Sequence, residues 1–297
     1  MEDHLHHVPR TRARRRLPFA AGRTLPHSVE PTIMPTDHDS SGPILLRDMR
    51  DGVVTLTLNR PQQFNALSDA MLASLRDAFD SLAADPHVRC VVLAAAGKAF
   101  CAGHDLREMR SKPDLDHYRT LFAQCSRVML AMRALPVPVI ARVQGIATAA
   151  GCQLVAACDL AIAADTARFA VSGINVGLFC STPAVALTRN VAAKRAFDML
   201  VTGRFVDAAT AAAWGLVNEA VPEDALDAAV ARKVAEIVSK SPAAVRYGKR
   251  MFYRQRELPL DEAYAYAGDV MAQNMMDEDA GEGIDAFLEK RRPTWRA

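Results

Sequence analysis

The sequence predicts an α/β fold in which a mostly parallel sheet is followed by a helical C-terminal part. Strand-length apolar runs alternate with helical repeats over residues 44–200, and repeated strand–helix–strand units imply right-handed crossovers between parallel strands. From Thr182 onwards, apolar residues recur at helical spacing almost throughout. We therefore expect a core over residues 44–200 and a helical region over residues 201–297.

The first element is a predicted hairpin. Ile44–Leu46 and Val53–Leu58 have strand character, and Asp51-Gly52 between them is a strong turn signal. Ser68 is then placed to cap a helix that runs to about Ala84, because apolar residues follow it at a spacing of about 3.6.

Further strands and helices follow in alternation. Cys90–Ala95, Val137–Val143 and Leu160–Ala164 are apolar runs of strand length, and a helix is expected around Cys152–Cys158. The later helical patterns are Val185–Val191, Ala225–Val238, Ala243–Tyr253 and Tyr264–Met276.

Composition excludes several classes of protein. The chain has 297 residues, of which 50% are hydrophobic and 24% are charged, so a large core needs no disulfide or metal for stability. Residues 1–33 hold six Arg and three acidic residues, which leaves 30 basic and 31 acidic residues in the rest. The folded part therefore gives no argument for a nucleic-acid partner. No stretch is apolar enough to predict a membrane span.

Residues 1–43 are predicted to be disordered, because they hold six prolines and little apolar periodicity. Two interpretations of this extension stay open. Translation starts at Met34 in a bacterial protein of the cytoplasm, or residues 1–33 resemble an Arg-rich transit peptide that directs the protein to the mitochondrial matrix. The six cysteines form no CxxC pair and are expected to be reduced thiols, and no metal or cofactor site is expected.

Two loops contain small residues that would let a ligand approach the backbone. Phe100–Leu106 either binds an anion or a polarised carbonyl through freed N–H groups, or is a plain strand–helix connection. Gln144–Gln153 leads into a helix whose N-terminus would suit an oxyanion, or it serves close helix packing.

A third loop runs from Gly177 to Pro183. Ser181 or Thr182 is expected to cap a helix with Pro183 near its first position. Cys180 would then lie just outside a helix N-terminus, which would lower its thiol pKa. A reactive thiolate and a structural cysteine are both open.

Several motifs occur together in one order. They are Asn59-Arg60-Pro61, Asn65-Ala66-Leu67, Phe100–Leu106, Gln144–Leu154, Cys158-Asp159 and Phe205–Val217. With them, residues 44–297 resemble the crotonase (enoyl-CoA hydratase/isomerase) superfamily. The resemblance implies a spiral of ββα units with a helical C-terminal trimerisation region, a trimer or dimer of trimers, and a coenzyme A thioester as substrate, with coenzyme A as part of that substrate.

The resemblance also implies a site. The backbone N–H groups of His104 and Ala150 would hold the thioester carbonyl and stabilise an enolate, and one such donor contributes roughly 100- to 1,000-fold in rate. The positions implied to face coenzyme A are Phe64, Ala66, Ala102, Asp105, Leu106, Phe287 and Lys290.

The chain departs from the pattern where hydratases of this family use two glutamates. These positions match Gln153 and Gly173, which cannot exchange a proton, and Cys180 or Ser181 is the first substitute we consider. Three interpretations stay open: a hydratase or isomerase of fatty acid metabolism with atypical acid–base groups, a decarboxylase or thioesterase, and a non-catalytic acyl-CoA-binding protein.

Overall fold

The structure is a computed structural model that describes residues 42–296. The predicted disordered extension therefore lies outside the described residues except for its last two positions. The strands are β1 (Leu45–Arg50), β2 (Val53–Leu58), β3 (Cys90–Ala95), β4 (Ala99–Cys101), β5 (Val139–Val143), β6 (Ile146–Thr148), β7 (Leu160–Ala164), β8 (Arg168–Ala170), β9 (Val206–Asp207) and β10 (Glu219–Val221).

Helices cover these strands and continue beyond them. They are α1 (Asp69–Ala83), α2 (Leu106–Ser111), α3 (Leu115–Ala134), α4 (Ala150–Ala157), α5 (Ser181–Leu187), α6 (Ala193–Thr202), α7 (Ala208–Trp214), α8 (Leu226–Val238), α9 (Pro242–Gln255), α10 (Leu260–Met275) and α11 (Glu278–Leu288). In this part of the chain no helix is both long and apolar enough to cross a membrane.

The strands form two sheets, and the predicted α/β fold with a mostly parallel sheet is confirmed. The large sheet has the order β1-β2-β3-β5-β7-β10 and the small sheet the order β4-β6-β8-β9. Among the strand pairs of residues 42–296, only β1–β2 and β8–β9 are antiparallel. Successive ββα units place one strand in the large sheet, the next in the small sheet, and then a helix. This repeat brings the loops that follow β4, β6 and β8 to the same edge of the small sheet.

The local signals at the start of the fold are confirmed. Asp51 and Gly52 both have positive φ, 49° and 76°, which is the conformation of a tight hairpin turn. The Ser68 side chain accepts the N–H of Met71 and caps α1. The strand predicted to begin at Val137 begins at Val139 instead, because Pro138 has no N–H to donate to a neighbouring strand.

The small sheet is absent from the predictions. Each of β4, β6 and β8 has three residues, too few to show the alternation by which a strand is recognised. β9 and β10 are similarly short and were missed for the same reason. They interrupt a region predicted to be almost wholly helical, and β10 pairs with β7 to complete the large sheet. Helix α3 was also not predicted.

Asp159, part of one motif of the resemblance, has a structural task. Its carboxylate accepts hydrogen bonds from the N–H of Val139, from the Lys249 ammonium at 2.7 Å and from the Tyr253 hydroxyl at 2.6 Å. Lys249 is buried and also donates to two backbone carbonyls. Burial lowers the pKa of Lys249, and the Asp159 carboxylate opposes that shift. This buried ion pair attaches α9 to the core, and removing one partner costs about 3–5 kcal/mol in such pairs.

Candidate active site

The two loops for which ligand binding and plain packing were both open come together beside the small sheet. The first extends from β4, the second contains β6 and the start of α4, and β4 and β6 are parallel neighbours. A Cβ at Gly103, whose φ is +95°, would lie 2.9 Å from the Ala149 side chain and 3.3 Å from the Ala150 nitrogen. A Cβ at Gly151 would overlap the Cys101 carbonyl. Glycine is therefore required at both positions for the loops to approach this closely.

The backbone N–H of His104 takes no part in the strand pairing next to it. A parallel bridge pairs Leu67 with His104, in which Leu67 donates to the Gly103 carbonyl at 2.8 Å and accepts the N–H of Asp105 at 3.1 Å. The bridge therefore uses the groups on either side of the His104 N–H, which points away from Leu67.

The N–H of Ala150 is free for a different reason. Ala150 is the first residue of α4, and the first N–H groups of a helix have no acceptor within it. Within residues 42–296, neither this N–H nor that of His104 donates to a backbone carbonyl. The helix dipole adds a partial positive charge at the same place.

Ala149, which precedes this donor, has a strained backbone. Its φ of 51° and ψ of −119° lie in a region that L-residues rarely adopt, which costs of order 1–3 kcal/mol. Its N–H donates to the Ala170 carbonyl at 3.0 Å, which holds the turn on the small sheet. Such strain persists where the surrounding structure imposes it, and here it sets the direction of the Ala150 N–H.

A cavity of about 280 Å³ lies beside the two donors. Most of its wall is apolar, including Leu106, Met109, Phe122, Leu178, Phe179 and Pro183. None of the Asp, Glu, Lys or Arg side chains in the described part of the chain lines it. A larger groove between α3 and α9 is lined by residues such as Arg133 and Arg250 and lies away from the donors.

The two positions that match the missing glutamates differ in their surroundings. Gly173 lines the cavity, and a Cβ there would overlap the Leu178 carbonyl and lie 2.8 Å from Cys180 Sγ. Gln153 is 4% exposed, is not part of the wall, and accepts a weak hydrogen bond from the Cys125 thiol. The space for a side chain at position 173 is thus already filled.

The predicted cap of α5 is wrong, and so is the predicted pKa shift. The helix begins at Ser181 after Cys180, and Pro183 is its third residue. Burial raises the pKa of the Cys180 thiol, although the Gly173 N–H donates to its sulfur at 3.3 Å and opposes the shift. Loss of hydration outweighs the terminus of a seven-residue helix. These surroundings favour the structural interpretation of Cys180; Ser181 carries an exposed hydroxyl.

His104 places an unpartnered imidazole in the cavity wall. Both ring nitrogens are buried without a hydrogen-bond partner, and within residues 42–296 no other buried side-chain nitrogen or oxygen is in this state. The ring packs edge-on against Phe122, with centroids 5.6 Å apart. Burial lowers the pKa of His104, while the Leu67 carbonyl and the Asp69 carboxylate oppose the shift. The ring is therefore neutral near pH 7.

We expect His104→Leu to make the free energy of unfolding less dependent on pH. The unfolded histidine, with a pKa of about 6.5, binds a proton before the folded one, so wild-type stability falls as the pH drops from about 6.5 through the lowered folded pKa. Removing two unpaired polar atoms also leaves stability at pH 7 unchanged or higher. Urea unfolding of both proteins at pH 7.5 and pH 5.5 measures this, and an equal loss in the two would contradict it.

Most positions implied to face coenzyme A lie in two segments, residues 64–66 and 102–106, that hydrogen-bond to each other beside the donors. The carbonyl of Phe64 accepts the N–H of Ala102 at 3.0 Å, and the carbonyl of Ala66 accepts the Arg60 guanidinium at 2.8 Å. Asp105 caps α2 and forms an ion pair with Arg60 at 3.3 Å. The side chains of Phe64 and Leu106 are exposed.

Phe287 and Lys290 lie apart from this cluster. Phe287 is 82% exposed on α11, and Lys290 follows that helix with a φ of +57°. Neither lines the cavity. Their part in binding coenzyme A stays a prediction.

Sequence reasoning missed three residues of the cavity wall. Phe122 and Met109 belong to helices without a motif, so only folding brings them here. Ser172 directly precedes Gly173, and that adjacency was the one available signal. Its hydroxyl lies 2.7 Å from that of Thr148.

The successive ββα units, with their strands in two sheets, form a crotonase-type fold. The model of the enoyl-CoA hydratase/isomerase family matches residues 48–297, and the chain belongs to this family. It is 43% identical to enoyl-CoA hydratase domain-containing protein 3, mitochondrial, of Xenopus laevis over 88% of each chain.

Solved structures are similar to the whole described fold. An enoyl-CoA hydratase of Mycobacterium smegmatis is 64% identical, with a TM-score of 0.85, over 86% of this chain and 100% of its own. Human enoyl-CoA hydratase domain-containing protein 3 is 43% identical, with a TM-score of 0.83, over 85% of this chain and 100% of its own.

Proposed function

We propose that this protein is an enzyme that binds an acyl-CoA thioester and stabilises the enolate formed from it. The observation that carries the proposal is the pair of unpartnered N–H groups, those of His104 and Ala150, beside an uncharged cavity. A thioester carbonyl held between them would gain two hydrogen bonds that strengthen as negative charge develops on its oxygen.

The surroundings of the donors support this chemistry. The apolar cavity wall would exclude water, so that hydrogen bonds to the developing charge are stronger than they are in bulk solvent. The strained turn at Ala149 and the close contact at Gly103 hold both donors in place before substrate arrives. Little reorganisation is then needed during the reaction.

We infer that coenzyme A lies along the backbone of Phe64, Ala66 and Ala102 while the acyl group enters the cavity. The apolar wall suits a hydrocarbon-rich acyl group, and this supports a role in fatty acid metabolism. The names of the relatives support the same thioester class, and with it a lyase or isomerase activity.

Hydration of an enoyl group is expected to be slow. General acid–base groups contribute roughly 100- to 10,000-fold each, and Gln153 and Gly173 supply neither. Decarboxylation is a second candidate, because loss of CO₂ forms the enolate without removal of a proton by the protein. The absence of charged side chains from the described cavity wall favours it.

A panel of thioesters tests the proposal. We expect crotonyl-CoA to be hydrated well below the ordinary range of about 1–1,000 per second, and malonyl-type thioesters to release CO₂ faster. Absorbance of the enoyl group and release of labelled CO₂ measure the two reactions, and free thiol measures thioesterase activity. Failure of every thioester to bind would exclude the proposal; binding without turnover would leave an acyl-CoA-binding role.

We also infer a homo-oligomer, either a trimer or a dimer of trimers. Several large side chains on α10 and α11, among them Leu260, Tyr264, Met271 and Leu288, are at least 71% exposed. Such a patch on a soluble surface marks an interaction site. For location, the name of the Xenopus relative, which includes the word mitochondrial, supports the interpretation that residues 1–33 direct the protein to mitochondria. The 64% identity to a Mycobacterium smegmatis protein supports the alternative of a bacterial protein.

A further inference from the structure

A pair of hydroxyl groups lies at the cavity, one in its wall and one behind it, and the proposed oxyanion hole uses neither. Thr148 Oγ1 and Ser172 Oγ lie 2.7 Å apart. Thr148 is the last residue of β6 and pairs with Ala170, the last residue of β8. Ser172 follows two residues later at the start of a short 3₁₀ turn. The register of the small sheet therefore brings the two hydroxyls together.

The Thr148–Ser172 pair can still form a further hydrogen bond. Two hydroxyl groups carry two protons, and the hydrogen bond between them uses only one of these. Ser172 lines the cavity and is partly exposed, whereas Thr148 is not part of the wall. When Thr148 donates, the Ser172 O–H is free to donate into the cavity. When Ser172 donates instead, its oxygen still accepts from the cavity.

Two other polar groups of the wall have hydrogen bonds within the protein. The hydroxyl of Ser181 donates to the Phe179 carbonyl at 3.4 Å, and the sulfur of Cys180 already accepts the Gly173 N–H. His104 and Thr182 also line the wall. Ser172 differs from all of these in that a second hydroxyl, that of Thr148, holds it in one orientation.

A plain hydrocarbon chain would serve this hydroxyl poorly. It would displace water from Ser172 and offer no polar partner in return, so the hydrogen-bonding capacity that Thr148 does not use would stay unsatisfied, at a cost in binding free energy. We propose that Ser172, oriented by Thr148, is a specificity-determining residue that hydrogen-bonds to an oxygen on the acyl group beyond the thioester carbonyl. The inference rests on the proposed function and narrows its substrate to oxygen-bearing acyl-CoA thioesters.

Calorimetric binding by the full chain tests the inference. The probes are butanoyl-CoA, 3-hydroxybutanoyl-CoA, 3-oxobutanoyl-CoA and coenzyme A alone. We expect at least one oxygen-bearing thioester to bind about tenfold more tightly than butanoyl-CoA, which is the effect of one hydrogen bond. In Ser172→Ala that preference is expected to disappear, because butanoyl-CoA then leaves no hydroxyl at position 172 unsatisfied and should bind at least as tightly as it does to the wild type.

Two further variants separate orientation from folding. Thr148→Val keeps the shape of the side chain and removes its hydroxyl, and is expected to reduce the preference in part. Ser81→Ala removes an exposed hydroxyl on α1 that pairs with Arg47, and the preference should stay intact. Thermal unfolding checks that each variant is folded.

The outcomes are distinct. Equal affinity of the wild type for all three thioesters overturns the role of Ser172 and leaves the proposed function standing. So does a preference that survives in Ser172→Ala. If no thioester binds more tightly than coenzyme A alone, the proposed function itself fails, and the inference that rests on it fails too.

Discussion

Ala150→Pro is expected to lower the turnover of a CoA thioester by about 100- to 1,000-fold, the effect of losing one oxyanion donor. Proline has no N–H, and Ala150 is the first residue of α4, a position where helices accept proline. The variant therefore removes the donor and no helical hydrogen bond. Because ground-state carbonyls are held less strongly than enolates, kcat should fall more than affinity.

A matched variant controls for the proline itself. Ala193 is the first residue of α6, is exposed, and does not line the cavity. Ala193→Pro is therefore expected to retain wild-type turnover. Circular dichroism and thermal unfolding must show that Ala150→Pro is folded, since Ala149 before it has an unusual backbone conformation. A folded Ala150→Pro with wild-type kcat on the best substrate of the panel would refute the oxyanion hole.

Gly173→Glu is expected to destabilise the protein by about 4 kcal/mol or more instead of restoring a hydratase. Overpacking costs typically 1–3 kcal/mol, and a carboxyl group buried without a partner adds to that. The new Cβ would overlap the Leu178 carbonyl and meet Cys180 Sγ at 2.8 Å. Chemical denaturation measures the loss, and crotonyl-CoA hydration by Gly173→Glu with Gln153→Glu measures the activity.

Smaller changes at the same place isolate the packing effect. Gly173→Ala should cost about 1–3 kcal/mol, and Cys180→Ala should recover part of it, because the sulfur is one of the two atoms in the way. Gly248→Ala is the matched control, since nothing lies within 4 Å of its added Cβ and α9 should gain about 0.5–1 kcal/mol. Wild-type stability in Gly173→Glu would show that the Leu178 loop moves freely.

Elements with strong local signals could be predicted from the sequence. β2, β3 and β7 have the predicted bounds, and Ser68 caps α1 as expected. In each case the signal, an apolar run or a capping hydroxyl, lies within the element. The small sheet had no such signal, because strands of three residues are stabilised by their neighbours and not by their own composition.

The site was predicted in part. Its two loops were recognised from small residues and motif order, and the family membership that they implied is confirmed. The cap expected at Ser181 or Thr182 was wrong, because the helix begins at Ser181 after Cys180. The lowered pKa expected for Cys180 was also wrong, because the sequence shows a helix N-terminus but not the depth of burial that outweighs it. The contacts of Ser172 and the burial of His104 also depend on residues distant in the chain.

The sequence by itself determined the class of fold, the mostly parallel sheet and the two loops of small residues, for which ligand binding and plain packing both stayed open. These follow from periodicity and from glycine and alanine at particular positions, which act over a few residues. Only the tertiary structure decided that the His104 and Ala150 N–H groups face one uncharged cavity, and that Cys180 occupies the place of a side chain at Gly173. The direction of an N–H group, the burial of a side chain and the space left for it depend on segments that are distant in the sequence and meet only in the folded protein.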